Sequence, residues 1–98
     1  MINIRGMIGY SEGGILSKIV HRAASADITL FCMAGGTEIS DHTSTREGFV
    51  YVVEGKGVFR LEGRNIPILP GAFIAMPKNA VHSLSAEENT SFILALSG

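Results

Sequence analysis

Three histidines are the side chains of this 98-residue chain best suited to proton or metal chemistry near neutral pH. Two of them lie in segments punctuated by glycine. His42 falls within Gly36-Thr37-Glu38-Ile39-Ser40-Asp41-His42-Thr43-Ser44-Thr45-Arg46-Glu47-Gly48, which runs on through Phe49 to Gly55. His82 closes Gly71-Ala72-Phe73-Ile74-Ala75-Met76-Pro77-Lys78-Asn79-Ala80-Val81-His82. An imidazole can ligate a metal through its neutral nitrogen, or take and return a proton on a carbonyl or enol substrate. The stretch after His42 adds three hydroxyls and the Arg46 guanidinium, a set suited to a small oxygen-rich anion. His21, in Ile19-Val20-His21-Arg22, reads as a surface or strand-end residue, and Lys78 as a solvated turn residue.

Other chemistries find little support. Eight basic and nine acidic residues give a net charge of −1 without bunching of either sign, and there is no Trp. That excludes a phosphate-tracking surface, so nucleic acid is not an expected partner. Cys32 is the lone cysteine and lies in the apolar run Ile28-Thr29-Leu30-Phe31-Cys32-Met33, where a buried structural thiol is expected. The first residues do not resemble a signal peptide and no apolar run is long enough to span a membrane, so the expected location is the cytoplasm.

The elements that must position the histidines read as strands. Short apolar runs rich in Val, Ile and Phe alternate with Gly, Pro, Asn and Asp, giving candidate strands over 2–8, 15–21, 27–33, 37–43, 48–54, 57–61, 65–69, 72–76, 80–85 and 90–97. Their starts recur every ~7 to 13 residues, the rhythm of an all-β sandwich or barrel. Residues 57–61 and 64–68 flank Glu62-Gly63 as a hairpin, with a bulged variant open because Glu suits the first turn position poorly. Pro67 belongs at an edge, and Leu69-Pro70-Gly71 and Pro77-Lys78-Asn79 are turns. With 98 residues, 46% apolar, the chain makes one domain over 1–98.

The two glycine–histidine segments, in this order within an all-β chain, resemble the cupin superfamily, whose first motif is G-x5-H-x-H-x3–4-E-x6-G and second G-x5-P-x-G-x2-H-x3-N. Gly36, His42 and Gly55 match the first, and Gly71, Pro77 and His82 the second. Asn79 replaces a glycine, a swap compatible with a left-handed backbone. Ala86 replaces the motif's asparagine. The resemblance covers roughly residues 30–96 and implies a double-stranded β-helix, or jelly-roll barrel.

The resemblance also implies a divalent metal (Zn, Ni, Fe or Mn) held by three histidines and a glutamate. Here only His42 and His82 occupy ligand positions, while Ser44 and Gly48 stand at the other two. Glu47 is one residue from the glutamate position, which on a regular strand turns it to the opposite face unless a bulge in Thr43–Gly48 rescues it. Glu38 shares strand parity with His42 but lies too far along the strand to help. The resemblance places the Thr43–Gly48 loop near the barrel mouth, which makes Ser44 and Arg46 candidate ligand-binding residues; Tyr51, Met76, Phe92 and Leu94 read as strand packing of which some line the barrel cavity, and of these Tyr51 and Met76 join the ligand-binding candidates.

Three classes of function follow: a small-molecule binding module centred on His42 and His82; an enzyme, either a metal-dependent oxygenase or an isomerase or epimerase using the two histidines as acid and base; and a structural or regulatory dimer with a vestigial pocket. The positive mean hydropathy and the strands apolar on both faces predict cover from another subunit, and the resemblance implies an isologous homodimer joined through sheet faces, with residues 2–8 as the exchanged strand.

Overall fold

The computed structural model describes residues 1–97, leaving Gly98 outside the described residues. It contains α1 (Ile4–Met7), β1 (Ile15–Ala23), β2 (Ala26–Met33), β3 (Glu38–His42), β4 (Gly48–Glu54), β5 (Gly57–Leu61), β6 (Arg64–Ile68), β7 (Phe73–Met76), β8 (His82–Ala86) and β9 (Thr90–Ser97). Every strand expected beyond residue 10 is present, with ends moved by at most two residues. All strand pairs are antiparallel. They form a five-stranded sheet in the order β1-β2-β9-β4-β7 and a four-stranded sheet in the order β3-β8-β5-β6. These are the two walls of a jelly-roll barrel.

Alternation along the strands decides what fills the barrel. Met33, Val50, Val52, Ile74, Met76 and Phe92 of the larger sheet meet Phe59, Leu61, Ile68, Leu84 and Ala86 of the smaller one in a single buried core. Phe31 and Phe92, directly paired between β2 and β9, stack inside with centroids 5.1 Å apart.

The turns follow their sequence chemistry. Glu62 and Gly63 both take positive φ, 49° and 78°, and Leu61 pairs directly with Arg64, so the hairpin closes through a two-residue turn of the primed type without a bulge. Asn79 adopts φ 62°, the left-handed position expected of it. Pro67 lies on β6, the edge strand of its sheet.

The N-terminal segment departs from expectation. Residues 2–8 form no strand; instead Asn3 caps one helical turn by accepting a hydrogen bond from the Gly6 amide. This segment lies along its own barrel, because the Lys18 ammonium donates to the Met7 carbonyl and the Tyr10 hydroxyl donates to Glu54 Oε2 at 2.7 Å. Leu30 and Cys32, which alternate with the inward Phe31 and Met33 and so face out of the barrel, are nevertheless fully buried. Part of the apolar surplus on the larger sheet is therefore covered by the chain's own N-terminus.

Candidate functional site

Both histidines enter one cavity because of an irregularity in β3. Ile39 pairs with Leu84 and His42 with His82, so three steps on β3 answer two on β8. The extra residue is a β-bulge, and it reverses the face of everything after it. His42 thus shares the interior with Ile39, and not with Glu38 as regular alternation predicts. Glu38 faces solvent with Ser40 and Asp41 on the polar outer surface of the smaller sheet. The bulge puts His42 directly opposite His82, their ring centroids 4.0 Å apart and the rings tilted by 60°.

Each imidazole is fixed by one nitrogen. His42 Nδ1 lies 2.8 Å from the Ser40 carbonyl and His82 Nδ1 lies 3.0 Å from the Ala80 carbonyl. A carbonyl only accepts, so the proton of each neutral ring sits on Nδ1, and each Nε2 keeps a free lone pair. His42 is exposed at the rim, whereas His82 is 6% exposed and stacks parallel to Phe59 at 6.0 Å. Burial pushes the His82 imidazole below its ordinary pKa of 6.5; the Ala80 carbonyl opposes this and the neighbouring His42 adds to it.

The cavity around the pair has a volume of about 70 Å³. Apart from the two imidazoles its walls are Phe31, Ile39, Val50, Phe59, Met76, Leu84, Phe92 and Leu94, with no carboxylate and no ammonium. Of the residues expected from sequence, His42, His82 and Met76 come together here.

The others are placed elsewhere. Ser44 accepts a hydrogen bond from the Arg46 amide at 3.1 Å, and its carbonyl receives the Asn79 amide at 2.7 Å. The Arg46 guanidinium turns across the barrel end to Asp27 Oδ2 at 2.6 Å and to the carbonyls of Leu96 and Ser97. Its hydrogen bond and charge hold the Asp27 carboxyl below the usual range. The guanidinium is not among the groups that line the histidine cavity. Tyr51 points outward from β4 and is 42% exposed. Glu47 is exposed beside an outer groove with Phe49, Ala75 and Pro77, and its carbonyl receives the Ser97 amide at 2.9 Å. The bulge that would have brought Glu47 inward lies upstream of it, in β3.

The donor set does not fit the metal that the resemblance implies. Among the described residues no three His, Cys, Asp or Glu side chains converge. A divalent ion of the zinc or iron type needs four to six ligands. Gly48 could not have been the fourth residue of such a set, because a Cβ there would fall on the carbonyl oxygen of Ala95. Phe92 and Leu94, expected as packing residues that could line a cavity, do line it, whereas Phe31 and Phe59 were missed, since an inward Phe on a strand carries no signal separating a lined cavity from a filled core.

Comparison with known proteins agrees with this architecture. The family model described as the cupin domain matches residues 29–97. No curated protein matches the chain in sequence. A conserved protein of unknown function from Streptococcus pyogenes superposes with a TM-score of 0.89 at 22% identity, over 99% of this chain and 85% of that one. A cupin 2 conserved barrel domain protein from Leptotrichia buccalis gives 0.91 at 26% identity, over 99% of this chain and 47% of the other. A salicylate 1,2-dioxygenase mutant from Pseudoaminobacter salicylatoxidans gives 0.80 at 16%, over 91% of this chain and 27% of the enzyme. With two sheets closing over a cavity that holds both His42 and His82, and the family model matched over residues 29–97, the chain belongs to the cupin family.

Proposed function

We propose that this cupin is a small-molecule binding module whose pocket is the His42–His82 cavity. The ligand is compact and apolar, with one hydrogen-bond-donating head such as a hydroxyl or enol. One observation carries this reading: both Nδ1 atoms are committed to backbone carbonyls, so two acceptor nitrogens are left in a cavity otherwise lined by carbon and one thioether. At about 70 Å³ the space admits a group of a few heavy atoms, while a longer ligand would extend past the exposed rim at His42. Because burial keeps His82 neutral at neutral pH, the same nitrogen can accept a proton from an acidic ligand, which is where isomerase-type chemistry would begin.

The test is a thermal-shift screen of small alcohols, phenols and enolisable carbonyl compounds. A ligand at a hundred times its dissociation constant stabilises by about 2.7 kcal/mol. Stabilisation that disappears in His42→Ala supports the reading; stabilisation that persists in that variant, or a screen without hits, overturns it.

A second copy of the chain is the partner we favour for the uncovered half of the larger sheet. Phe49 and Phe73 stack there at 4.9 Å, with Phe73 62% exposed, beside Tyr51.

A further inference from the structure

Glu62 is poorly suited to the turn it occupies. It takes φ 49°, a left-handed conformation that Gly or Asn adopts at lower cost, and Asn-Gly is the pair a two-residue hairpin turn prefers. A strained residue where a relaxed one would close the turn points to a task for its side chain. That side chain is engaged. Glu62 Oε1 accepts the Val81 amide at 2.7 Å, and the Glu62 amide donates to the Val81 carbonyl at 2.8 Å. The contact is possible because Leu61, one residue earlier, pairs with His82.

The bond to the Val81 amide leads into the cavity. That amide and the Ala80 carbonyl belong to one peptide group, and the carbonyl holds Nδ1 of His82 at 3.0 Å. No peptide bond among the described residues is cis, so the N–H and C=O of this group point in opposite directions. The N–H meets the exposed Glu62 carboxylate, and the C=O meets the buried His82 ring. Carboxylate, peptide and imidazole thus form a chain of two hydrogen bonds. Hydrogen bonds in series polarise one another, and an ionised acceptor makes the stronger bond. A carboxylate on the Val81 N–H therefore makes the Ala80 oxygen a better acceptor for His82. The charge itself stays in water, so its influence reaches the cavity without the cost of burying it. His42 hangs on a different peptide, that of Ser40.

We propose that Glu62 is a positioning residue for the cavity: through the Ala80–Val81 peptide it holds the His82 proton on Nδ1 and fixes the ring, so that Nε2 is kept as an acceptor. This role rests on the binding reading for its purpose, since a ligand would use that nitrogen. Its test needs no ligand, so either can fail without the other.

The experiment compares the ring tautomers in ligand-free wild type, Glu62→Asn and Glu62→Gln. Nitrogen–proton correlation spectra of isotope-labelled protein are recorded well above the ordinary imidazole pKa, where the rings are neutral. Asn suits the turn better than Glu, but its side chain is one methylene shorter. If the turn alone mattered, this variant would leave His82 unchanged. Instead it should raise the fraction of His82 protonated on Nε2 by about two- to tenfold, the loss expected when a polarising partner is removed. Glu62→Gln keeps the reach and an acceptor oxygen without the charge, so its ratio should fall between the two. His42 should be the same in all three proteins, and melting temperatures verify folding. An unchanged His82 ratio in folded Glu62→Asn, an equal shift at His42, or a wild-type His82 protonated on Nε2 would each overturn the assignment.

Discussion

His82 is held under Phe59 and beside His42 with only 6% of its surface exposed, so its protonation is linked to folding. As pH falls below the ordinary value of 6.5, the unfolded chain protonates this imidazole while the folded chain resists until its own lower value is reached. Across that interval the unfolded state binds more protons, so stability falls with pH; above 6.5 both states are neutral and the contribution is constant. Urea unfolding of metal-free protein should show this loss, no steeper than one proton's worth of about 1.4 kcal/mol per pH unit. In His82→Gln the slope should be smaller, and profiles parallel to wild type would assign the dependence to another group. At this scale His42, His82 and Met76 were legible because glycine and proline spacing marks their segments. The engagement of Arg46 with Asp27, nineteen residues away, was not, because a salt bridge across a barrel end leaves no trace in local sequence.

Among the elements, the β-bulge in β3 has the largest effect on the site. Simple alternation puts Glu38 with His42, and one extra residue replaces that pairing with Ile39 and His42 facing His82. Bulges are illegible where, as in Ser40-Asp41, polar residues can occupy either face without cost. The strand that follows is constrained differently. Gly48 begins β4 with its Cα against the Ala95 carbonyl, where any side chain would displace backbone. Gly48→Ala should lower stability by about 1–3 kcal/mol in equilibrium unfolding, the range typical of overpacking. An unchanged midpoint would mean that β4 and β9 separate more readily than their pairing implies. The N-terminal turn was misread because Ile2, Ile4 and Ile8 suggest a strand, whereas the Asn3 cap and the ties to Lys18 and Glu54 hold the segment against its own barrel.

For the whole molecule, the two outer faces differ in character. That of the smaller sheet carries Glu38, Asp41, Arg60, Asn65, Ser83 and Ser85, and suits water. That of the larger sheet is buried at Leu30 and Cys32 and bare around Phe49, Tyr51 and Phe73. An isologous contact would set these charge-free aromatics against their own copies. Sedimentation equilibrium should therefore find a dimer, and Phe73→Asp should convert it to monomer with its cooperative melt preserved. A wild-type mass of 10.4 kDa in solution would refute the second copy. The barrel itself was legible from strand rhythm and motif order; which part of the apolar surface the chain covers for itself was not, since that depends on where the first ten residues lie.

The covering of Cys32 has a kinetic consequence. Its thiol is fully buried on the outer side of β2, in the region closed by the segment that ends at Tyr10, so an alkylating reagent must wait for that segment to lift or for the whole barrel to unfold. The rate of thiol modification thus acts as an internal clock for local opening, timing the release of one strap while the barrel around the histidine cavity stays folded.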